Sequence, residues 1–429
     1  MNLLKEVLKH QVYPAMGCTE PVTVALCAAH AAKLLGEPVQ EGLFVLDPGT
    51  YKNGMGVTLP NTRGQKGNLL AAALGMVIAR PELNMEIFRA VTATVLRRAQ
   101  ALVRRQAVKI GVLPGRQGLQ VEARLTSRRH SVVCVIAGSH TDLVLAEKDG
   151  RKIVDSGRGA AGGNARYKKV LQSCTLKDLA RLAERMDAQD ADWIRRGVEM
   201  NLAAARQGMK LKKVGFYLQD LMRKGYLLDD VFSSSKILTA CATDLRMDGR
   251  AVPVMSSGES GNQGIVAILV PWNVGQAFRV PDRTVLRSIA LSHLLNAYVK
   301  LFTGGLAPIC GCAIAAGVGA AAAIVYQRNG RDIPGLTLAV NNVISDLGGM
   351  LCDGAKSGCA LKVVSSTDCA IRSAYMGIHH YGITEQEGFV GRSAEETIRN
   401  LGRISSVGMA AVDSTIVGIM LDKQARPRP

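Results

Sequence analysis

Aromatic side chains make up only 4 % of the 429 residues, with two tryptophans among them. That scarcity leaves few platforms on which bases stack, and no nucleic-acid motif appears. Missing too is an uninterrupted apolar run at the start: "MNLLKEVLKHQV" carries charges among its apolar positions, so it does not read as a secretory leader. The expected location is cytoplasmic, and ten cysteines in a reducing compartment do not imply a disulfide framework. CxxC pairs are absent, which argues against a closed four-ligand zinc site. No GK[ST] follows a glycine-rich loop, and no dinucleotide fingerprint is present. One uncharged stretch, "LAPICGCAIAAGVGAAAAIVY" (306–326), has about the length of a membrane span. It is mostly Ala and Gly and has no second of its kind, so it reads as a helix buried on all sides in a soluble protein.

What is present starts with a 48 % apolar content, a globular composition long enough for two or three domains. Forty-five glycines point to close helix packing. The net charge of +18 calls for anionic partners. Its densest region is 97–130, where Arg97/Arg98 and Arg104/Arg105 recur seven apart on one helix face. Without interleaved aromatics that face reads as solvated. Neither nucleic acid nor membrane is an expected partner; self-association stays open.

The fold class expected is α+β: a mainly helical domain with a smaller α+β domain containing an antiparallel sheet. Residues 1–36 read as N-terminal helices interrupted at "YPAMGCTEP", where Pro14 and Pro21 put Cys18 on a turn or helix start; they are expected to pack on the helical domain. Residues 37–160 read as the α+β domain: an apolar strand, a Gly/Asn/Thr-rich loop, a helix opening near Gly67, a helix over 84–107, then four β-rich runs with "KDGR" as a hairpin signal. Residues 155–169, "DSGRGAAGGNARYKK", read as a flexible linker. Residues 161–429 read as helical, with "SAEE" at 393–396 as a capping box.

Four segments do not suit simple packing. "GCTEP" places Cys18 on a turn beside a carboxylate, a reactive thiol, a metal ligand or a chance turn residue. "SSGESGNQG" (256–264) exposes backbone N–H groups suited to a carboxylate or phosphate, or is a plain loop. "CGC" (310–312) and "GMLCDGAKSGCALK" (349–362) bring Cys310, Cys312, Cys352 and Cys359 as three or four soft ligands, set against the alternative of buried thiols. Three thiolates suit a [4Fe–4S] cluster with one iron left open.

Together "GCTEP", "YKNGMGVTLPNT", "PVMSSGESGNQGI", "CGC", "GGMLCDGAKSGCALK" and "EETIRNLGRIS" resemble, in order and over nearly the whole chain, the L-cysteine desulfidase family. That family is related to the serine dehydratase alpha chain of the iron–sulfur type and is UPF0597-like. The resemblance implies that 161–429 is the catalytic domain. It implies a [4Fe–4S] enzyme without pyridoxal phosphate that converts L-cysteine to pyruvate, ammonia and hydrogen sulfide. Cluster ligands carried over by motif are Cys352, Cys359 and one of Cys310 and Cys312, with Cys312 preferred; Cys18 matches the family's catalytic cysteine. Glu259 before Ser260, and "LPNT" in place of a more glycine-rich stretch, depart from the family's pattern near the substrate loops. L-serine or another β-substituted amino acid therefore remains an alternative substrate. A non-catalytic iron–sulfur or thiol sensor of amino acids and a zinc-binding structural protein remain alternative functions.

β-Elimination needs a base for the Cα proton and a Lewis acid for the leaving group. Cys18 is expected to be the base, as a thiolate whose pKa the helix N-terminus lowers. Candidate substrate contacts are Ser260, Asn262 and Gln263 with their backbone N–H groups, Lys52 and Asn53 of "YKNGM", Asn61 and Thr62 of "PNT", Lys356, and His140, which ends a strand in "GSHTD". His293 reads as a hydrogen-bonded core residue, and His379 and His380 as loop residues.

Overall fold

The first two helices part company. α1 (Leu3–Gln11) is capped by Asn2 and sends Leu3, Leu4, Val7 and Leu8 into the helical core. β1 (Pro14–Ala15) follows, and then α2 (Thr19–Leu35), which is apolar nearly all round and buried to match. The expectation that residues 1–36 pack on the helical domain fails for α2, whose Val24, Ala25 and Ala28 lie in the core of the sheet region. The computed structural model describes residues 2–113, 115–116, 118–156 and 164–425.

The sheet region continues with β2 (Glu41–Leu46), α3 (Pro48–Met55), α4 (Asn68–Ile78), α5 (Ala93–Arg104), β3 (Val108–Val112), β4 (Gln120–Thr126), β5 (Ser131–Ala137), β6 (Leu143–Lys148) and β7 (Arg151–Asp155). The strand order is β3-β2-β4-β5-β6-β7. Every pair is antiparallel except β2 with β3, which are parallel. Between those two strands the chain runs through α3–α5, the long crossover that a parallel pair requires. On β4, Val121, Ala123 and Leu125 alternate inward beneath α2, as the period of a half-buried strand demands. Asp149 (φ 51°) and Gly150 (φ 79°) make the β6–β7 turn with both central residues left-handed. Small residues bring α2 and α4 together: a Cβ on Gly75 would stand 2.1 Å from the Ala25 carbonyl oxygen.

Two local expectations need correction. The Gly/Asn/Thr-rich stretch after β2 is helical from Pro48, because Asp47 accepts from the Thr50 N–H at 2.9 Å and Pro48 supplies the first helical position. The helix expected over 84–107 breaks: residues 81–90 form a 3₁₀ segment interrupted at Asn84 (φ 50°), and Thr92 caps α5 afresh.

Of the expected linker, residues 157–163 lie outside the described residues; from Asn164 the chain is already helical. Tyr167 is buried there, accepting from Gln11 Nε2 at 3.0 Å and stacked on His10. The helical region comprises α6 (Asn164–Gln172), α7 (Leu176–Glu184), α8 (Ala188–Gly208), α9 (Val214–Arg223), α10 (Val231–Met247), β8 (Val254–Met255), α11 (Gly261–Ala277), α12 (Asp282–Thr303), α13 (Ala315–Asn329), α14 (Ile333–Leu347), α15 (Cys359–Ile378), α16 (Ala394–Arg403) and α17 (Val412–Ala425). β8 pairs with β1, stitching the two regions. At the centre, α13 is buried from Ala315 to Tyr326 among α11, α12, α14 and α15. The Ala/Gly stretch is thus a core helix preceded by a turn. Among the described residues no single helix is long and apolar enough to cross a membrane. The fold is α+β.

Candidate active site

A cavity of about 80 Å³ opens between the two regions. The sheet region supplies Cys18, Glu20, Asn53 and His140; the helical region supplies Arg246, Ser260, Asn262, Gln263, Lys300, Lys362 and the thiols of Cys310, Cys312, Cys352 and Cys359.

On the sheet side, Gly17 (φ 80°) turns the chain so that Cys18 becomes the N-cap of α2. Its Sγ donates to Glu20 Oε2 at 2.8 Å, Thr19 Oγ1 donates to the same oxygen at 3.1 Å, and Asn53 Nδ2 donates to Glu20 Oε1 at 2.9 Å. Burial alone would raise the Glu20 carboxyl; the charge of His140 and the bonds from Cys18 and Asn53 outweigh it and leave it at about 2. Burial, then the charge of Glu20, pushes the Cys18 thiol well above the usual thiol range, with Arg246 acting against both. The expected Cys18 thiolate is therefore corrected to a thiol that donates a proton, because desolvation and an adjacent carboxylate overcome the helix end.

His140 lies in the turn between β5 and β6 and reaches across to Glu259. Its Nδ1 and its backbone N–H each stand 3.2 Å from Glu259 Oε2. Nε2 is buried, has no partner among the described residues, and belongs to a residue lining the cavity. Glu259 takes a left-handed backbone (φ 64°) to present its carboxylate there. Burial would raise that carboxyl, but the hydrogen bond and charge of His140, with Lys300 and Lys168, hold it at about 2. Lys300 donates to the Gly258 carbonyl; burial lowers its ammonium, partly countered by Glu259 and Glu20.

On the helical side, "CGC" and "MLC" meet through an antiparallel bridge between Ile309 and Leu351, with Cys310 N–H bonded to Met350 O at 2.8 Å and Cys352 N–H to Pro308 O at 2.7 Å. Cys359 opens α15. Gly354 (φ 96°) lets this loop sit against α3, where a Cβ would be 2.8 Å from Lys52 O. A hydrogen bond from Cys312 draws the Cys310 thiol below the usual thiol range and pushes Cys312 up. Burial raises Cys352, against the charge of Lys52, and takes Cys359 up to about 11. Both "CGC" thiols line the cavity. Among the described residues no group of three or more thiols, imidazoles and carboxylates is spaced to hold one ion.

Several expected contacts lie elsewhere. Lys52 is buried beneath the cysteine loop, donating to Cys352 O and to Asp413 Oδ1, each at 2.6 Å. Asn61 (φ 59°) donates to Phe88 O at 3.0 Å, tying its loop to the 81–90 segment, and Thr62 donates to Leu59 O at 2.7 Å within the loop, whose Pro60 packs on Gly17. Lys356 pairs with Asp353 at the surface, and Lys362 takes the place by the thiols. His293 is a core residue bonded to Ser257 Oγ at 2.8 Å, and His379 and His380 follow α15 away from the cavity. Sequence reasoning missed Glu20, Arg246, Lys300 and Lys362. Only Glu20 left a signal, as the acid of "GCTEP"; nothing in the sequence singles out the three cations.

Comparison with known proteins gives a consistent result. The family model for the serine dehydratase alpha chain matches residues 82–418. A UPF0597 protein of Elusimicrobium minutum is 57 % identical over 423 residues, 99 % of this chain and 100 % of its own. UPF0597 proteins of Geobacter sulfurreducens and Clostridium tetani are 54 % and 36 % identical, each over at least 98 % of both chains. No solved structure matches.

Proposed function

The chain belongs to the UPF0597 family, related to the serine dehydratase alpha chain, and on that premise we propose that it is an iron–sulfur lyase eliminating the β-substituent of L-cysteine, with L-serine as the second-choice substrate. The observation that carries this reading is the meeting of four thiols with a carboxylate-bound cysteine and a carboxylate-bound histidine around one small cavity. The donor set fits a [4Fe–4S] cluster: Cys352, Cys359 and one of Cys310 and Cys312 would hold it. Cys310 and Cys312 are within hydrogen-bonding reach of each other and line the same cavity as Cys352 and Cys359; in a cluster each thiolate would serve a different iron. When bound, a cluster with one open iron supplies a Lewis acid for the leaving group.

The chain's own residues divide the proton work. Glu259 fixes His140 through Nδ1 and leaves Nε2 of the neutral imidazole as acceptor for the Cα proton, the arrangement by which a carboxylate orients an imidazole base; the imidazolium so formed carries the charge that Glu259 and Glu20 balance. Cys18, held protonated against Glu20, is the donor available to the departing sulfur or hydroxyl. The base thus moves from Cys18 to His140.

The test is to purify the protein without oxygen, measure iron and acid-labile sulfide, and assay pyruvate, ammonia and hydrogen sulfide from L-cysteine and L-serine. The expected result is close to four irons per chain, on the order of a cubane cluster, with turnover of one or both amino acids. Iron-free protein that turns over neither after reconstitution would sink the reading.

A further inference from the structure

α10 ends at Met247 with Arg246 in its last turn, a position where a basic residue ordinarily faces water and the helix carbonyls. Here Arg246 is 2 % exposed and lines the cavity. Nη1 donates to Asn262 Oδ1 at 2.9 Å, while Nε and Nη2, the two donors of one edge of the guanidinium fork, are buried without a partner among the described residues. Neither acid beside it in the chain pairs with it among the described residues: Asp244 accepts from the Gly215 N–H at 2.8 Å through Oδ2, its Oδ1 being buried without a partner, and Asp248 pairs with Lys213 and Arg250. The guanidinium stands against the first turn of the 17-residue helix α11, so close that a Cβ on Gly261 would lie 2.4 Å from Nε. That turn begins at Ser260 with no side-chain cap, and the N–H groups of Gly261, Asn262 and Gln263 have no hydrogen-bond partner among the described residues.

A buried guanidinium with a free bidentate edge beside an uncapped helix N-terminus is complementary to a planar monoanion. Leaving such a charge unpaired is costly, so the fold retains a site that an anion completes. We propose that the Nε–Nη2 edge of Arg246, with the first-turn amides of α11, binds the α-carboxylate of the amino acid, Asn262 holding the fork in plane. This rests on the lyase reading for the identity of the ligand. It makes the free carboxylate the group that admits a molecule to the cavity, whatever stands at Cβ.

L-Alanine, which has no leaving group, and L-alaninamide separate the carboxylate from the chemistry. Calorimetric titration of the full chain, purified without oxygen, should show L-alanine binding at least about tenfold more tightly than the amide, the scale of one charge-assisted pair. Arg246→Gln should remove that preference, and Arg246→Lys should restore part of it. Equal binding of acid and amide, no binding of L-alanine, or an Arg246→Gln protein that keeps its L-alanine affinity within about threefold overturns the proposal. Should Arg246→Gln fail to fold, the acid–amide comparison on the unaltered chain decides alone. Pyruvate formation from L-cysteine or L-serine is read separately, so the lyase reading can fail while the carboxylate site stands, and the reverse.

Discussion

The two walls of the cavity are built on opposite plans. On the sheet side Cys18, Thr19, Glu20 and Asn53 are tied to one another, and the Glu20 carboxylate accepts three side-chain bonds. On the helical side Arg246 Nε and Nη2 and Gln263 Oε1 are buried with no partner among the described residues, and the four thiols are free. A satisfied network is preorganised and fixes protonation states; an unsatisfied one holds capacity for what arrives. His140 joins them: it comes from the sheet side, is oriented by Glu259 from the helical side, and has one nitrogen bonded and one free. The difference assigns proton handling to one wall and its border, and ligand and cofactor holding to the other.

Damage to the receiving wall should be total. Cys352→Ala removes a thiol whose backbone is pinned by Lys52 and by Pro308, so the loop should persist while the cluster is lost. The expected outcome is loss of bound iron and a fall of at least about a thousandfold in pyruvate formation, read by iron analysis and assay. Cys174→Ala, which alters a thiol outside the cavity, is the control. A Cys352→Ala protein that keeps its iron would undo the assignment of the walls.

The wall legible in the sequence was the one whose composition is odd. Cysteines among glycines, and Ser/Gly/Asn before a helix, have no packing role that explains them, so "CGC", "GMLCDGAKSGCALK" and "SSGESGNQG" stood out. The tied wall was harder to see, because its bonds join Glu20 to Asn53 across 33 positions and His140 to Glu259 across 119. Arg246 carried no signal at all: only the laying of α11 across the end of α10 makes a helix-end arginine buried. α3 did carry one, since Asp-Pro before Gly-Thr is an N-cap followed by a first-turn proline, but glycine and asparagine content masked it. The α+β division is legible because periods of 2 and 3.6 alternate along the chain, whereas the allegiance of α2 is not, for a helix apolar all round does not say which neighbour it will meet.

At the junction, His140→Asn should lower kcat by about 10²- to 10⁴-fold, the range for a positioned general base. Glu259→Gln, which removes only the orienting charge, should cost less, about tenfold to a hundredfold. Steady-state assays across pH check both. A purely structural role for Glu259 would lower the amount of folded enzyme and leave the pH profile of the remainder unmoved.

The same carboxylate marks the acid limit of the fold. Glu259 sits at about 2 in the folded protein against an ordinary 4.5. A value depressed by folding means that the ionised form stabilises the native state. That contribution is complete above about pH 4.5 and disappears as the pH falls through about 2. The gap corresponds to about 3 kcal/mol at most. Urea unfolding between about pH 5 and about pH 2, the window those two values set, should show a shallower loss of stability in Glu259→Gln than in the parent, with the two curves converging toward acid. Parallel curves would show that His140, Lys300 and Lys168 do not hold the charge as their placement implies.

Least should follow from a residue that only the sequence placed in the site. Lys356 and Lys362 both lie in the cysteine segment and both pair with Asp353, yet their surroundings differ. The Lys356 side chain is 40 % exposed and lies outside the cavity; that of Lys362 is 20 % exposed, lines the cavity, and donates to Leu351 O at 2.6 Å, next to the bridge that sets Cys352. An exposed pair contributes about 0–1 kcal/mol, and its loss leaves Asp353 held by Lys362. Lys356→Ala should therefore keep kcat/KM within about twofold and stability within about 0.5 kcal/mol. Lys362→Ala should lose bound iron, because it frees the Leu351 carbonyl beside a ligand. If the two lysines exchange these phenotypes, the boundary of the receiving wall runs on the other side of Asp353, and the segment's outer face belongs to the site.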